Sequence, residues 1–204
     1  MSAPVGIERR NRRSYPGSEA GANGKHIAGR GGYMRLIESV RELESLAGRL
    51  ARERLVAADT EAAGYHRYSD ALCLLQLSTR GETWLVDTLA VGSLNPLAEV
   101  FEDPRTEIIF HDADYDLRLL DRDFGVQVRG LFDTKIAARF LGERAFGLSS
   151  LLEGKLGISL EKKFQRADWA KRPLSPEMLE YAAMDTRYLP ELRDRLRDRL
   201  EEMG

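Results

Sequence analysis

Asp59 and Glu61 stand two residues apart at the end of a short apolar run, Leu55-Val56-Ala57-Ala58. In a strand, side chains at i and i+2 project from the same face. Both carboxylates therefore point together beyond Leu55 and Ala57. Two bare carboxylates side by side repel and raise each other's pKa. A divalent cation between them removes that conflict, and Mg²⁺ or Mn²⁺ favours such oxygen ligands. Taken alone, the pair has a second explanation, in which Asp59 ends a strand and Glu61 is solvated.

Asp185 is a third acid in an unexpected place. A helix starting at Pro176 carries an inward stripe of Met178, Ala182, Leu189, Leu192 and Leu196, and Asp185 falls within that stripe. An unpaired buried charge is strongly unfavourable, and the nearest basic residues, Arg187 and Arg193, lie off the stripe. Tyr181 is one turn earlier on the same face, where its hydroxyl can hold or activate a water; a packing tyrosine gives the same spacing. Asp112, Asp114 and Asp116 crowd the segment His-Asp-Ala-Asp-Tyr-Asp-Leu at a strand-to-helix junction. Helix capping accounts for Asp112 and also suits Asp114. It accounts less well for Asp116, which sits beside Ala113 and Leu120 on the shoulder facing the sheet. His111 reads as a hydrogen-bonded strand-end residue, and Asp133 as the N-cap of the helix after it.

The elements that must position these groups follow from periodicity. A short strand begins at Met34 and a helix covers residues 41–51. Strands are predicted at 55–58, 71–78, 83–87, 107–110 and 130–132, with a hairpin turn at Arg80-Gly81. Helices are predicted at 94–101, from Ala113 to Phe124 by the spacing of Ala113, Leu117, Leu120 and Phe124, at 135–141 and at 149–156. A long helical stretch over 176–203 is split or kinked by Pro190. Strands that alternate with helices are parallel, and the hairpin pair is antiparallel. The expected fold is α/β, a mixed, mostly parallel five-stranded sheet flanked by helices.

Composition narrows the classes. The chain has 204 residues, 43% hydrophobic and 31% charged, which suits one domain. Its longest AVILMFWYC run is five residues, 71–75, against roughly 20 for a membrane-spanning helix. The first residues lack the apolar core of a secretory signal. The single Cys73 excludes an intrachain disulfide framework and fits a reducing compartment, so a cytoplasmic location is expected. Residues 1–32 contain seven of the 18 glycines and carry a net charge of +4; they read as a disordered basic tail. Residues 33–204 carry −6. A body of that charge is unlike a broad electrostatic clamp on a duplex, and it tolerates a compact acidic site that needs cations.

Three segments together resemble one family. Asp59-Thr60-Glu61, Asp116 within HDADYDL, and Tyr181-x-x-x-Asp185 within EYAAMDTRYL resemble the three exonuclease motifs of the DEDD superfamily, and the tyrosine marks its DEDDy branch. LCLLQLST, LFDTKIAARFLG, Asp168-Trp169 and Arg172-Pro173-Leu174 make the surrounding text similar to ribonuclease D over residues 34–196. The resemblance implies a ribonuclease H-like fold and metal-dependent 3′–5′ hydrolysis of RNA ends, with release of nucleoside 5′-monophosphates. It implies that Asp59, Glu61, Asp116 and Asp185 hold two divalent cations, Mg²⁺ or Mn²⁺, with Tyr181 acting on the attacking water. Two cations would activate that water and relieve charge on the departing 3′ oxygen. Ribonuclease D commonly carries helical HRDC domains after the catalytic domain. This chain stops at Gly204, so a catalytic domain alone is expected at residues 33–204, and short single-stranded RNA is favoured over structured precursors. Ala167 also departs from the serine often found there.

Exonucleases stack terminal bases on aromatic or apolar wedges. Tyr65, His66, Tyr68 and Trp169 are candidates for that role, and core packing is the other explanation for each. Lys162, Lys163, Arg166, Lys171 and Arg172 form a basic run that suits phosphate contacts and suits a solvated loop equally. Two further classes share these features: a nucleic-acid-binding module without catalysis, and a metal-dependent phosphatase or nucleotidyl-transfer enzyme. All five motif positions are intact, which argues against the first, and Tyr181 argues against the second. DNA remains an alternative substrate to RNA.

Overall fold

The computed structural model describes residues 25–29, 32–63 and 70–204. Its elements run β1 Lys25–Gly29, β2 Gly32–Ile37, α1 Val40–Leu50, β3 Leu55–Ala62, β4 Leu72–Ser78, β5 Thr83–Asp87 and α2 Thr88–Val91. They continue with α3 Asn95–Glu102, β6 Glu107–Phe110, α4 Asp114–Phe124, β7 Leu131–Asp133, α5 Thr134–Phe140, α6 Leu148–Leu156, α7 Pro176–Arg187 and α8 Leu189–Met203. The strands form one sheet in the order β1-β2-β5-β4-β3-β6-β7.

The mixed α/β sheet is as the sequence predicts, but it is wider and less parallel. It has seven strands rather than five. Pairs β2–β5, β3–β6 and β6–β7 are parallel, and β1–β2, β4–β5 and β3–β4 are antiparallel. The two strands beyond the expected five lie at one edge, and of these β2 is the short strand expected at Met34 while β1 was not expected. β2 pairs along β5, and β1, within the segment read as a tail, pairs along β2. Backbone pairing on an edge needs no alternating apolar pattern, and the glycine-rich text of residues 25–32 carries none.

Alternation along the strands divides the core between two faces. Val56, Ala58, Leu75, Leu77, Val86 and Phe110 pack against α1, α3 and α4. Helix α1 supplies Leu43, Leu46, Ala47 and Leu50 at helical spacing, and a reciprocal Ser39–Glu42 capping box fixes its start. On the opposite face, Leu74 and Leu85 pack under Leu179, Ala182 and Ala183 of α7. Ala57 and Ile109 pack under Leu192 and Leu196 of α8 and Leu151 and Leu152 of α6. Pro190 does split the C-terminal helical stretch, lying in the first turn of α8, where the missing N–H has no cost. The long predicted stripe is thus two stripes serving two parts of the core. Among the described residues, no helix is long and apolar enough to cross a membrane.

Parallel strands β6 and β7 come together closely at Gly130. A Cβ there would lie 2.3 Å from the Thr106 carbonyl oxygen, and the Gly130 carbonyl accepts from Ile108 N–H at 2.7 Å. The Gly130→Ala variant should lose about 1–3 kcal/mol, a drop in Tm of about 2–4 °C per kcal/mol for this size. Gly81→Ala, which meets nothing within 4 Å, is the near-neutral control in the same thermal melts followed by circular dichroism.

Candidate active site

Asp59 and Glu61 project from the β3 face that α7 covers, as their two-residue spacing requires. Helix α7 is held in register by one buried polar link: Thr186 Oγ1 and Ser78 Oγ are 2.8 Å apart, and Ser78 Oγ also meets Thr83 Oγ1 at 2.9 Å. The buried side of α7 consists of Leu179, Ala182, Ala183 and Thr186, and half-buried Asp185 and Tyr181 flank it. Carboxylate oxygens of Asp59, Glu61 and Asp185 all lie within 4.8 Å of one another. Arg187 and Arg193 do not serve Asp185. Arg187 pairs with Glu180 at 3.2 Å, and Arg193 with Glu107 and Asp194.

Asp116 enters from the other side of the sheet, on the first turn of α4. It is 7% exposed and accepts a short 2.5 Å hydrogen bond from Thr60 Oγ1. Thr60 lies between the two β3 acids, so its side chain points to the opposite face and meets α4 there. Asp116 is not one of the three acids within 4.8 Å, yet its charge acts on both Asp59 and Glu61.

The junction before α4 differs from the predicted cap. Asp112 is not the N-cap: the helix starts at Asp114, and Asp112 has a left-handed φ of 70°, a conformation that Asp tolerates better than most residues. Asp133 does the holding. Its carboxylate accepts from Asp112 N–H at 3.2 Å and Ala113 N–H at 2.8 Å, and it caps α5 through Lys135 N–H and Ile136 N–H. His111 Nδ1 is 2.9 Å from Thr134 Oγ1, which donates to the Phe110 carbonyl.

Burial and crowding weaken all four acids as acids. Asp59 and Glu61 are pushed well up, first by desolvation and then by the neighbouring carboxylates. Desolvation raises Asp185 to about 7. It raises Asp116 to about 6 against the opposing hydrogen bond from Thr60. Among the described residues, no Lys or Arg forms an ion pair with any of them. An all-oxygen, anionic, partly buried set without an internal counter-charge fits a hard divalent cation. Tyr181 is also shifted upward, by burial first and then by Asp185, Glu61 and Asp59.

The substrate candidates fare differently. Trp169 is 1% exposed, so it cannot be an open stacking wedge. It lies 6.2 Å from the Tyr181 ring, and Phe164 meets Tyr181 edge-on at 5.8 Å; the two aromatics hold the tyrosine. Arg172 is also reassigned. Its Nε and Nη2 grip buried Asp87 at 2.5 and 2.8 Å, while its remaining donors reach the carbonyls of Trp169, Lys171 and Cys73. Every donor is engaged, leaving none for a phosphate. Lys163 is exposed, with its Nζ 5.1 Å from the Phe164 ring, near the tyrosine end of the site. Tyr65, His66 and Tyr68 lie outside the described residues. Sequence reasoning missed Thr60, whose type and position carry no distinguishing signal. It also missed Asp87, whose place at the end of an otherwise apolar strand was a visible one.

The family model for 3′–5′ exonucleases matches residues 34–201. The chain belongs to the 3′–5′ exonuclease family. It is 41% identical to the exosome complex exonuclease RRP6 of Saccharomyces cerevisiae over 167 residues, covering 81% of this chain and 23% of the yeast protein. Its fold matches the crystal structure of Escherichia coli RNase D, an exoribonuclease involved in structured RNA processing. The TM-score is 0.78 at 32% identity, with 83% of this chain and 45% of that chain covered. It also matches Brucella melitensis NrnC bound to pGG, with a TM-score of 0.72 at 31% identity over 84% of this chain and 83% of that one. The exonuclease domain here therefore spans less than a quarter of the yeast relative and less than half of the RNase D chain. The ribonuclease H-like fold expected from the resemblance is the fold observed.

The raised carboxylates give a pH prediction. The folded state still holds protons at Asp185 and Asp116 in a pH range where the unfolded chain, with carboxyls near 3.8, has released them. Stability of the metal-free protein therefore falls as pH rises from about 4 through 6 and 7. Asp185→Asn removes part of that penalty. In EDTA at pH 8 its Tm should exceed wild type by at least about 2 °C, the shift expected for 1 kcal/mol in a chain of this size. The gain should shrink toward pH 4; a pH-independent gain would contradict the assignment.

Proposed function

We propose that this exonuclease-family domain is a metal-dependent 3′–5′ exoribonuclease that removes nucleoside 5′-monophosphates from single-stranded or short RNA. The observation that carries the reading is the cluster of Asp59, Glu61 and Asp185, whose carboxylate oxygens lie within 4.8 Å of one another, with the charge of Asp116 acting on both β3 acids and Tyr181 one turn from Asp185. Asp59, Glu61, Asp116 and Asp185 would hold two divalent cations, Mg²⁺ or Mn²⁺. When bound, such cations supply an acidified water and neutralise charge on the leaving 3′ oxygen.

The chain's own residues do the rest. Glu61 and Asp59, fixed on one strand face, set the floor of the site. Asp185 closes it from α7, and Asp116 from α4. Tyr181 orients the attacking water by hydrogen bonding. Trp169 and Phe164 hold its ring for that purpose. Lys163 is the candidate phosphate contact that the geometry leaves available.

RNA is favoured over DNA by the likeness to Escherichia coli RNase D, an exoribonuclease. Short substrates are favoured by the likeness to NrnC, which covers most of that chain and is described bound to pGG. For compartment we assign the cytoplasm, on the single buried Cys73.

The test compares a labelled RNA dinucleotide, a tailed tRNA and single-stranded DNA in one gel with Mn²⁺. RNA dinucleotide should be cleaved fastest; faster cleavage of DNA would reverse the substrate assignment. EDTA should stop the reaction and Mn²⁺ or Mg²⁺ restore it. Asp59→Ala, Glu61→Ala, Asp116→Ala and Asp185→Asn should each abolish turnover while retaining native circular dichroism. Tyr181→Phe should lower kcat at least about 100-fold, in the range of positioned proton-handling groups. A loss under threefold would remove the tyrosine from the mechanism.

A further inference from the structure

Strand β4 reads Leu-Cys-Leu-Leu-Gln-Leu-Ser, so one amide interrupts an apolar run. That residue, Gln76, is 0% exposed, and among the described residues neither its Oε1 nor its Nε2 has a hydrogen-bond partner. A buried polar group left without a partner is costly and calls for a reason.

The sheet register gives one. Gln76 is paired directly with Asp59 on β3 and with Leu85 on β5. Opposed residues of an antiparallel pair project from the same face, with Cβ atoms about 4.5–5.5 Å apart. The Gln76 and Asp59 side chains thus leave the ladder side by side on the face that α7 covers, with no hydrogen bond between them in the cation-free structure. Its other neighbours on that face within the sheet offer no free partner. Leu74 and Leu85 are apolar, and Ser78 Oγ is already engaged with Thr83 and Thr186. An amide also adds no positive charge, so it can hold a carboxylate without displacing a cation as Lys or Arg would.

We propose that Gln76 is a positioning residue of the acidic site: its side-chain amide donates to the Asp59 carboxylate in the cation-loaded protein and fixes how that carboxylate is turned. The inference rests on the metal-dependent reading above. Hydrogen bonds of this kind to a ligating carboxylate typically change metal affinity or activity by about 10–100-fold.

Gln76→Met keeps an unbranched side chain of similar length and removes the donor. Its metal-free Tm should equal or exceed wild type, because a partnerless amide is gone. Its Mn²⁺ dissociation constant, read from free Mn²⁺ by electron paramagnetic resonance, should rise about 10–100-fold. On labelled single-stranded RNA, kcat should fall while KM changes little. Gln76→Asn, with its amide one methylene short, should bind Mn²⁺ more weakly than wild type, and it reports independently if the Met variant does not fold. A purely structural role predicts the reverse pattern, a lowered Tm with Mn²⁺ binding unchanged, and Mn²⁺ affinities within threefold of wild type in the folded variants would overturn the proposal. A wild-type chain that takes up no Mn²⁺ would contradict the metal-dependent reading and this inference together.

Discussion

Mutual repulsion among Asp59, Glu61, Asp116 and Asp185 is the force that the surrounding structure has to contain. Each carboxylate is made costlier by burial, and the charges of Asp116 and Asp185 also act on both β3 acids. Left to themselves, four such groups would move apart or capture basic side chains. Here the arginines nearest in sequence are bound elsewhere, Arg187 to Glu180 and Arg193 to Glu107. The site therefore keeps a concentrated negative charge that only an external cation or bound protons can offset.

Three separate braces hold the acids against that repulsion. Strand β3 is fixed by pairing on both sides, with β4 and β6. Helix α7 is fixed by small residues close to the sheet and by the Thr186–Ser78 link. Helix α4 is fixed through Thr60 to Asp116 and through Asp133, which holds the backbone entering the helix. The Asp87–Arg172 pair adds a fourth constraint: it ties the loop that carries Trp169 to the end of β5, and Trp169 in turn supports Tyr181. A rigid frame of this kind makes the acid geometry a property of the fold rather than of the ligand.

Much of this was legible in the sequence because it follows from local periodicity. The two-residue spacing of Asp59 and Glu61 gave their shared face, and an acid at core spacing on a helix singled out Asp185. Pro190 marked the break between α7 and α8. Long-range partners were not legible. Nothing in the basic run of residues 162–172 told Arg172, which turns inward to Asp87, from Lys163, which stays exposed. For Trp169 the sequence left a stacking wedge and core packing equally open, because its burial against α7 and the sheet is a long-range contact. The edge strand β1 was missed because it is held by backbone pairing in glycine-rich text, without the apolar signal on which strand prediction relies. Gln76 was visible as the one amide in an apolar strand, but its meaning depends on the residue across the ladder.

The yeast exonuclease and the Escherichia coli RNase D are larger proteins that the domain matches only in part, whereas it matches most of the NrnC chain, so its fold and its acid geometry are the features to test directly. Both point to cations as the missing counter-charge, and anomalous diffraction addresses this most directly. Crystals soaked in Mn²⁺ should give anomalous peaks contacted by the carboxylates of residues 59, 61, 116 and 185. A saturating soak that leaves those carboxylates without a peak, or that shows a lysine or arginine folded among them, would contradict the account.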